Sequence, residues 1–242
     1  MNKITYGIHP ISELINNREN QIEHIYFSKK KAYGKNLFKL LKSCKKRKIA
    51  YNLTSQQHVD QIAQTKKNQG VVAVASEKEL IDEVTFWTKI NSGEIKRIIL
   101  PSLIKDTRNL GSMIRSAVAF GFKMMLLERK GSAPINSTTI KTSTGMIEHI
   151  DILKPKKLAN LLKNLKEKGF SIVYADMGGK NLRQFKNKTE RLVLITGGEH
   201  KGVPAYLKKV SDSSVRIDIS EMVDSLNVSI AASILMYHFS DL

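Results

Sequence analysis

The chain has 242 residues, 41% of them hydrophobic and 26% charged, which is long enough for one large domain or two small ones with a substantial core. Its 40 Lys and Arg against 22 Asp and Glu give a formal net charge of +18, which is typical of proteins that bind nucleic acid. A single cysteine excludes an intramolecular disulfide and a cysteine-based zinc site, and no apolar run approaches the roughly 20 residues needed to span a bilayer.

Residues 1–75 predict a small α/β unit. Helical spacing is found in "GIHPISELIN", "GKNLFKLLKSCKKRK" and "SQQHVDQIAQT", and strand-like patterns in "IEHIYFS", "IAYNLT" and "GVVAVAS". The second helix would bury Leu37, Leu40, Leu41 and Cys44 on one face, and Ser55 is expected to cap the third. Half of the net charge lies within residues 1–80, which favours RNA or DNA as a partner; lysines spread over solvated faces are the alternative explanation.

Residues 76–94 have mixed charge and end in Asn-Ser-Gly, so we expect a linker there. From residue 95 to 242 strands and helices alternate. The strands are "IKRIILPSL", "FKMMLLE", "FSIVYAD", "RLVLITG" and "SVRIDIS", and the last helix is "NVSIAASILMYHFS". This alternation predicts an α/β fold with a doubly wound parallel sheet, in which ligands bind beyond the carboxyl ends of the strands.

Three stretches at predicted strand ends carry unusual polar residues. The first is "LIKDTRNLGSMIRSAVAFG", where we expect Asn109 and Gly111 in the connection and Arg115 one turn into the helix. Gly111 would allow close backbone approach. Taken alone, the stretch fits a tight turn with an exposed arginine equally well.

In the second stretch, "LVLITGGEHKGVP", three glycines and a carboxylate, Glu199, follow a predicted buried strand. It has neither the Gly-Lys-Ser/Thr ending of a P-loop nor the spacing of a dinucleotide-binding fingerprint. A glycine-rich turn of this kind is a weak signal by itself, and Glu199 is what points to a ligand.

The third stretch, "DSLNVSIAASILMYHF", opens with Ser225, Asn227 and Ser229 at every second residue. One of them would suffice as a helix N-cap. Because the helix that follows is apolar on most faces, the others must be hydrogen-bonded or hold a ligand.

In this order and near these separations, the three stretches resemble the three motifs of the SpoU (TrmH-type) RNA ribose 2′-O-methyltransferases of the SPOUT superfamily. The N-terminal part is similar to the L30e-like RNA-binding domain of the rRNA enzymes in that family, with "YGIHPISELI" and "NQGVVAVAS" as its landmarks. This implies an L30e-like domain at 1–75, a linker at 76–94 and, at 95–242, a parallel-sheet SPOUT domain that contains a deep trefoil knot.

The resemblance also implies an activity and a site. The enzymes of this family use S-adenosylmethionine to methylate a ribose 2′-OH, and they form homodimers through the knot region. From the likeness to the rRNA enzymes we expect the target to be a guanosine of bacterial large-subunit rRNA. Cofactor-contacting positions would be Gly197, Ile217 and Leu226. Catalytic positions would be Asn109, Arg115, Glu199, Ser225 and Asn227.

We expect a cytoplasmic location, since the N-terminus lacks the apolar stretch of a secretory signal. No metal is expected, because the histidines show no metal-ligand spacing. No membrane is expected either, because no apolar run is long enough to span a bilayer. Two alternatives stay open: ribose methylation of tRNA, and an RNA-binding ribosome-assembly factor that has lost catalysis. The N-terminal domain disfavours the first, and the complete set of catalytic positions disfavours the second.

Overall fold

The computed structural model describes residues 2–185, 190–198 and 202–240, and the chain divides into two compact units. The first unit comprises Met1–Glu79 with Ile135–Glu148, and the second comprises Leu80–Pro134 with His149–Leu242.

The first unit is built on a four-stranded sheet in the order β1-β4-β2-β3, counted over its described residues. β4 is antiparallel to both β1 and β2, and β2 is parallel to β3. Its strands are β1 Asn2–Tyr6, β2 Ile22–Ser28, β3 Tyr51–Thr54 and β4 Val71–Ser76. Its helices are α1 Ile8–Arg18, α2 Lys35–Lys46, α3 Gln56–Ala63 and α6 Ser137–Thr142.

The helical pattern in the first unit is confirmed at α2 and α3. Leu37, Leu40, Leu41 and Cys44 are all buried in the unit's core. Burial raises the pKa of the Cys44 thiol to about 11, so the thiol stays protonated and unreactive at neutral pH. The Ser55 side chain accepts a hydrogen bond from the His58 amide at 3.1 Å, as an N-cap does.

Asn68 is the fully buried centre of the turn before β4. Its Nδ2 donates to Asp60 Oδ1 at 2.7 Å and to the Thr65 carbonyl at 2.6 Å, while its Oδ1 accepts from the Gly70 amide at 2.8 Å. The hydrogen bond from Asn68 also holds the pKa of the Asp60 carboxyl below its usual range. We therefore interpret Asn68 as the structural clamp of this turn.

The second segment of the first unit, Ile135–Glu148, is tied to the first by polar contacts. Arg18 forms a two-pronged ion pair with Glu148, with Nε at 2.6 Å and Nη2 at 2.8 Å from the carboxylate oxygens. Both side chains are largely buried, and such fork-to-fork pairs combine charge with fixed geometry. Lys3 Nζ donates to the Ile135 carbonyl at 2.6 Å.

The second unit contains a six-stranded, all-parallel sheet in the order β10-β8-β9-β5-β6-β7, again over described residues. The predicted α/β architecture with a parallel sheet is thus confirmed. Its strands are β5 Arg97–Pro101, β6 Met124–Leu126, β7 Asp151–Leu153, β8 Ser171–Asn181, β9 Leu192–Thr196 and β10 Ser213–Arg216. Its helices are α4 Glu83–Asn91, α5 Thr107–Ala119, α7 Leu158–Glu167, α8 Ala205–Val210 and α9 Val228–His238.

The two central strands of this sheet are buried along their whole length. All residues of β5 and β9 are buried, as expected for parallel strands covered on both faces. The stretch that we expected to be a linker contains α4, capped by Asp82 and with Phe86 and Ile90 buried in the same core.

The carboxyl edge of the sheet has a reversal of strand order between β5 and β9. β5 leads to β6 on one side, whereas β9 follows β8 on the other side and lies between β8 and β5. A crevice forms where the order reverses, and this is where ligands bind in open α/β sheets.

The expected position of two residues in the first motif is wrong. α5 begins at Thr107, and the Asp106 side chain caps it by accepting from the Arg108 amide at 2.6 Å. Asn109 and Gly111 therefore lie inside the helix rather than in the connection before it.

Candidate active site

The segments after β5, β9 and β10 meet at the carboxyl edge of the second unit. The Ser102 amide, just after β5, donates to the carbonyl of Thr196, the last residue of β9, at 2.8 Å. Beyond β9, Gly198 and Gly202 pair through a 3.3 Å backbone hydrogen bond. The motifs singled out in the sequence thus come together at the strand-order reversal.

Gly197 is required by close backbone packing. A Cβ atom at this position would lie 2.6 Å from both Gly202 Cα and Val203 N, where ordinary contacts begin at 3.4 Å. At Gly198 a Cβ would lie 2.9 Å from the Leu103 carbonyl oxygen. Only glycine allows this loop to fold onto itself and onto the segment after β5. Glu199, predicted to be catalytic, lies outside the described residues.

A cavity of about 320 Å³ opens beside this loop. Most of its wall is apolar, and Asp176 and Arg216 supply charge. The lining residues are Ala175, Asp176, Met177, Gly202, Val215, Arg216, Ile217, Ile219, Ser225, Leu226, Ala231 and Leu235. The wall thus includes two of the predicted cofactor positions, Ile217 and Leu226, and one predicted catalytic position, Ser225. Gly197 does not line the cavity but packs against Gly202, which does.

Asp176 is the carboxylate of the cavity wall. It accepts hydrogen bonds from Lys208 Nζ and, at 2.9 Å, from the Gly178 amide. Lys208 and then Gly178 hold the pKa of this carboxyl below its usual range, so Asp176 is ionised at neutral pH.

Asn227 joins two of the motifs. Its Oδ1 caps α9 by accepting from the amide and the hydroxyl of Ser229, at 2.9 and 2.7 Å, and its Nδ2 donates to Asn109 Oδ1 at 3.2 Å. One amide side chain therefore caps the start of α9 and also fastens the segment before α9 to α5.

Ser225, Asn227 and Ser229 have different positions. Ser229 is buried, and its carbonyl accepts from Ser233 Oγ at 2.7 Å; Ser233 in turn hydrogen-bonds Ser116 of α5 at 2.7 Å. Ser225 is exposed and faces the cavity. Ser229 therefore supports helix packing, while Ser225 and Asn227 remain at the site.

Arg115 lies on the exposed side of α5. Within residues 2–185, 190–198 and 202–240 it forms no hydrogen bond or ion pair, so the structure does not bring it into contact with Asn109, Ser225 or Asn227. Its guanidinium is accessible to an anionic ligand.

Glu128, just after β6, is a residue at this edge that the sequence reasoning missed. It accepts from the Leu103 amide at 2.8 Å, from Ser102 Oγ at 3.1 Å and from the Tyr206 hydroxyl. Leu103 has φ of 55°, in the left-handed region that disfavours a leucine, and Glu128 fixes it there against Gly198. A carboxylate directly after a strand adjoining β5 was the available signal.

Tyr206 has a strongly perturbed hydroxyl. Burial first, and then the hydrogen bond to the Glu128 carboxylate, raise its pKa well above the usual value of 10. Tyr206 thereby donates a stable hydrogen bond that attaches α8 to Glu128 in the segment after β6.

The part of the chain that the structure describes contains no group of three or more His, Cys, Asp or Glu side chains placed to bind a metal ion. None of its helices is both long enough and apolar enough to cross a bilayer.

Comparison with known proteins relates both units to RNA-modifying enzymes. Residues 96–237 match the model of the SpoU rRNA Methylase family, and residues 4–81 match the model for RNA 2′-O ribose methyltransferase substrate binding. A Borreliella burgdorferi protein described as an uncharacterized tRNA/rRNA methyltransferase is 33% identical over 171 residues, which cover 71% of this chain and 73% of that protein.

Two further comparisons cover almost the entire chain. The Escherichia coli 23S rRNA (guanosine-2′-O-)-methyltransferase RlmB is 25% identical over 98% of this chain and 97% of its own length. The SpoU methyltransferase AviRb from Streptomyces viridochromogenes, solved in complex with AdoMet, superimposes with a TM-score of 0.77 at 19% identity, covering 98% of this chain and 89% of AviRb. At that identity the superposition shows that the fold is shared.

Proposed function

The chain belongs to the SpoU rRNA methylase family and is an RNA methyltransferase, and on this premise we propose that it transfers a methyl group from S-adenosylmethionine to a ribose 2′-OH. The observation that carries the proposal is the cavity lined by Ile217, Ser225 and Leu226 at the carboxyl edge of the sheet. Its volume of about 320 Å³ is within the range of small-molecule sites.

The cavity has the chemistry that this cofactor requires. Apolar side chains such as Leu226 and Val215 suit an adenine ring, while Asp176 and the backbone beside Gly202 offer polar contacts. When bound, S-adenosylmethionine supplies a methyl group on a positively charged sulfur, which a nucleophilic oxygen can attack. Gly197, Ile217 and Leu226 are the proposed cofactor-contacting residues, with Gly197 acting through its packing against Gly202.

The chain's own contribution to catalysis would be mainly positioning of the ribose. Attack requires the 2′-oxygen to lie in line behind the methyl carbon, and correct placement lowers such barriers substantially. Arg115, whose guanidinium is exposed, would bind the phosphate next to the target ribose and polarise its 2′-OH. A role as a simple general base is disfavoured because a guanidinium does not lose its proton near neutral pH.

The remaining proposed catalytic residues would orient the substrate and the loop. Asn227, through its hydrogen bond to Asn109, holds the segment before α9 against α5, and Ser225 offers its hydroxyl to a ligand in the cavity. Glu199 completes the proposed set as a partner for Arg115 or the ribose.

A guanosine of bacterial large-subunit rRNA is the proposed target, and the bacterial cytoplasm the proposed location. The similarity to RlmB over nearly the whole of both chains supports this choice, as does the match of residues 4–81 to a substrate-binding family. In this proposal residues 1–75 form the L30e-like RNA-binding domain and residues 95–242 the catalytic domain.

We further propose a trefoil knot and a homodimer. Insertion of β9 between β8 and β5 supports the knot, as does the packing of α9, which follows β10, against the much earlier α5. The homodimer is supported by Ile230, Ile234 and Tyr237, which form an exposed apolar stripe at helical spacing on α9. A second copy of the chain would cover this stripe.

Calorimetry of S-adenosylmethionine binding, followed by labelled methyl transfer to unmodified large-subunit rRNA, tests the proposed function. Leu226→Arg places a long cation in the cavity wall and is expected to abolish binding, whereas Leu80→Arg, at a leucine that is 38% exposed, should bind like wild type. RNA binding by the wild-type chain without any cofactor binding would refute the proposal and leave the assembly factor as the alternative.

A further inference from the structure

The outer face of α2 carries a stripe of lysines. Because an α-helix turns about 100° per residue, Lys35, Lys39, Lys42 and Lys46 lie within an arc of about 60°. These four residues, here called the lysine stripe, extend over about 16 Å of helix.

The lysine stripe lies opposite the buried face of α2. Its four side chains are exposed, and within the described parts of the chain they form no ion pair or hydrogen bond. By contrast, Arg47 directly after the helix is paired with Glu19 at 2.5 Å.

The surrounding sequence has no carboxylate to neutralise this charge. From residue 24 to residue 59 the chain contains nine lysines and Arg47 but no Asp or Glu. Lysines three or four residues apart repel one another and destabilise the helix that carries them. A helix that bears this repulsion is better explained by an anionic partner than by solubility, for which interspersed charges of both signs suffice.

Aromatic side chains accompany the lysines. Tyr33, in the loop just before α2, is 73% exposed, and Phe38, within α2, is 37% exposed. The Lys42 ammonium lies 4.8 Å from the centre of the Phe38 ring. Exposed aromatic rings among cations are the means by which proteins bind single-stranded nucleic acid, since every base can stack on a ring.

We propose that the lysine stripe with Tyr33 is a binding surface for the sugar-phosphate backbone of single-stranded RNA, independent of base sequence. Its length suits several consecutive phosphates, because even a duplex strand places one about every 3.4 Å. This inference rests on the proposed RNA substrate and names the surface of the first unit that contacts it.

The test measures binding of the full chain to polyuridylate by fluorescence anisotropy over a range of KCl concentrations. Each lysine–phosphate contact with a single strand contributes about 0.7 to the slope of log affinity against log salt, so replacing all four stripe lysines by Gln should reduce the slope by about 3. Replacing all four by Arg should keep the slope, since charge is what matters.

The matched control replaces four exposed lysines of the second unit, Lys156, Lys157, Lys163 and Lys168, by Gln. It removes the same net charge and should change the slope by less than about 1. Equal slopes for the two Gln variants would overturn the proposal, because the effect would then be one of net charge alone. An unchanged slope in the stripe variant would overturn it as well.

Tyr33→Ala gives a second, salt-independent readout. Loss of stacking should weaken binding about fivefold or more at every salt concentration, whereas Tyr33→Phe should retain it. Equal affinities for Tyr33→Ala and wild type would remove Tyr33 from the surface.

Failure of this inference can be distinguished from failure of the proposed function. Cofactor binding should be unchanged in the stripe variant, since none of the four lysines lines the cavity. If the wild-type chain transfers no methyl group but the slopes still differ, the proposed reaction fails while the RNA surface stands.

Discussion

The contact between Gly197 and Gly202 offers a demanding test of the proposed cofactor site. In Gly197→Ala the new methyl carbon would lie 2.6 Å from Gly202 Cα and from Val203 N, so these separations must grow to at least 3.4 Å. Both neighbouring atoms are backbone, which cannot yield by a change of rotamer. The loop must therefore move, and Gly202 is part of the cavity wall.

Overpacking of this kind costs about 1–3 kcal/mol. If the displaced loop must return to its native position for binding, the same energy appears as a loss of cofactor affinity of about 5- to 150-fold. If the loop cannot return, the loss is larger. The substitution introduces no backbone strain of its own, because Gly197 is not in the positive-φ region.

Calorimetry with S-adenosylmethionine and thermal unfolding of the same samples measure both effects. Gly34→Ala is the matched control, since it adds the same methyl group at a glycine of the first unit that also has negative φ, and its nearest neighbour lies at 3.3 Å. We expect the control to bind the cofactor like wild type. Unchanged affinity and melting temperature in Gly197→Ala would refute the argument that close glycine packing shapes the cavity.

Three further predictions concern other contacts. The pKa of Tyr206 is raised in the folded state, so its stabilising contribution is complete below the unfolded-state pKa of 10 and is lost as the pH rises above it. In urea unfolding, wild type should therefore lose more stability above pH 10 than Tyr206→Phe. Parallel pH profiles for the two proteins would contradict the role of the Glu128 contact. Asn68→Ala leaves the buried Gly70 amide without its acceptor and removes two part-buried hydrogen bonds, to Asp60 and to the Thr65 carbonyl, so it should cost about 1–3 kcal/mol of unfolding free energy; a loss below about 0.5 kcal/mol would show that the turn does not need its clamp. Asn227→Ala should lower the free energy of unfolding by about 1 kcal/mol through loss of the cap on α9. A double-mutant cycle with Asn109→Ala should give a coupling energy of about 0.5–1 kcal/mol. Additive effects in the cycle would mean that the hydrogen bond between the two residues contributes nothing.

Most of the regular elements were predictable because their patterns are local. The spacing of Leu37, Leu40, Leu41 and Cys44 predicted a buried helix face, and the apolar run of β9 predicted a central parallel strand. β1 was missed because "NKITY" is a short, polar edge strand, and its identity depends on pairing with β4, about 70 residues later. α4 was missed because a predominantly polar exposed face hides the two core residues, Phe86 and Ile90.

The site was predictable in outline but not in its connections. Placement of the motifs at strand ends follows from the architecture of parallel sheets, which is why the polar Ser225 was expected near a ligand. Ile217 and Leu226 were expected at a cofactor only because of the resemblance to the SpoU family. The bond between Asn109 and Asn227 joins residues 118 positions apart, and that between Tyr206 and Glu128 joins residues 78 apart. No periodicity records pairings of that kind, because they depend on how the strands are ordered.

The strand order also determines when during synthesis this enzyme can acquire its site. β8 leaves the ribosome before β9, yet β9 has to fill the place between β8 and β5, so the sheet cannot be assembled by adding strands in chain order. The cavity wall further requires residues between Val215 and Leu235. A nascent chain can complete its first unit once residue 148 has emerged, but the cavity forms only after residue 235 has emerged as well. The proposed RNA surface on α2 would thus be available before the chain can bind its methyl donor.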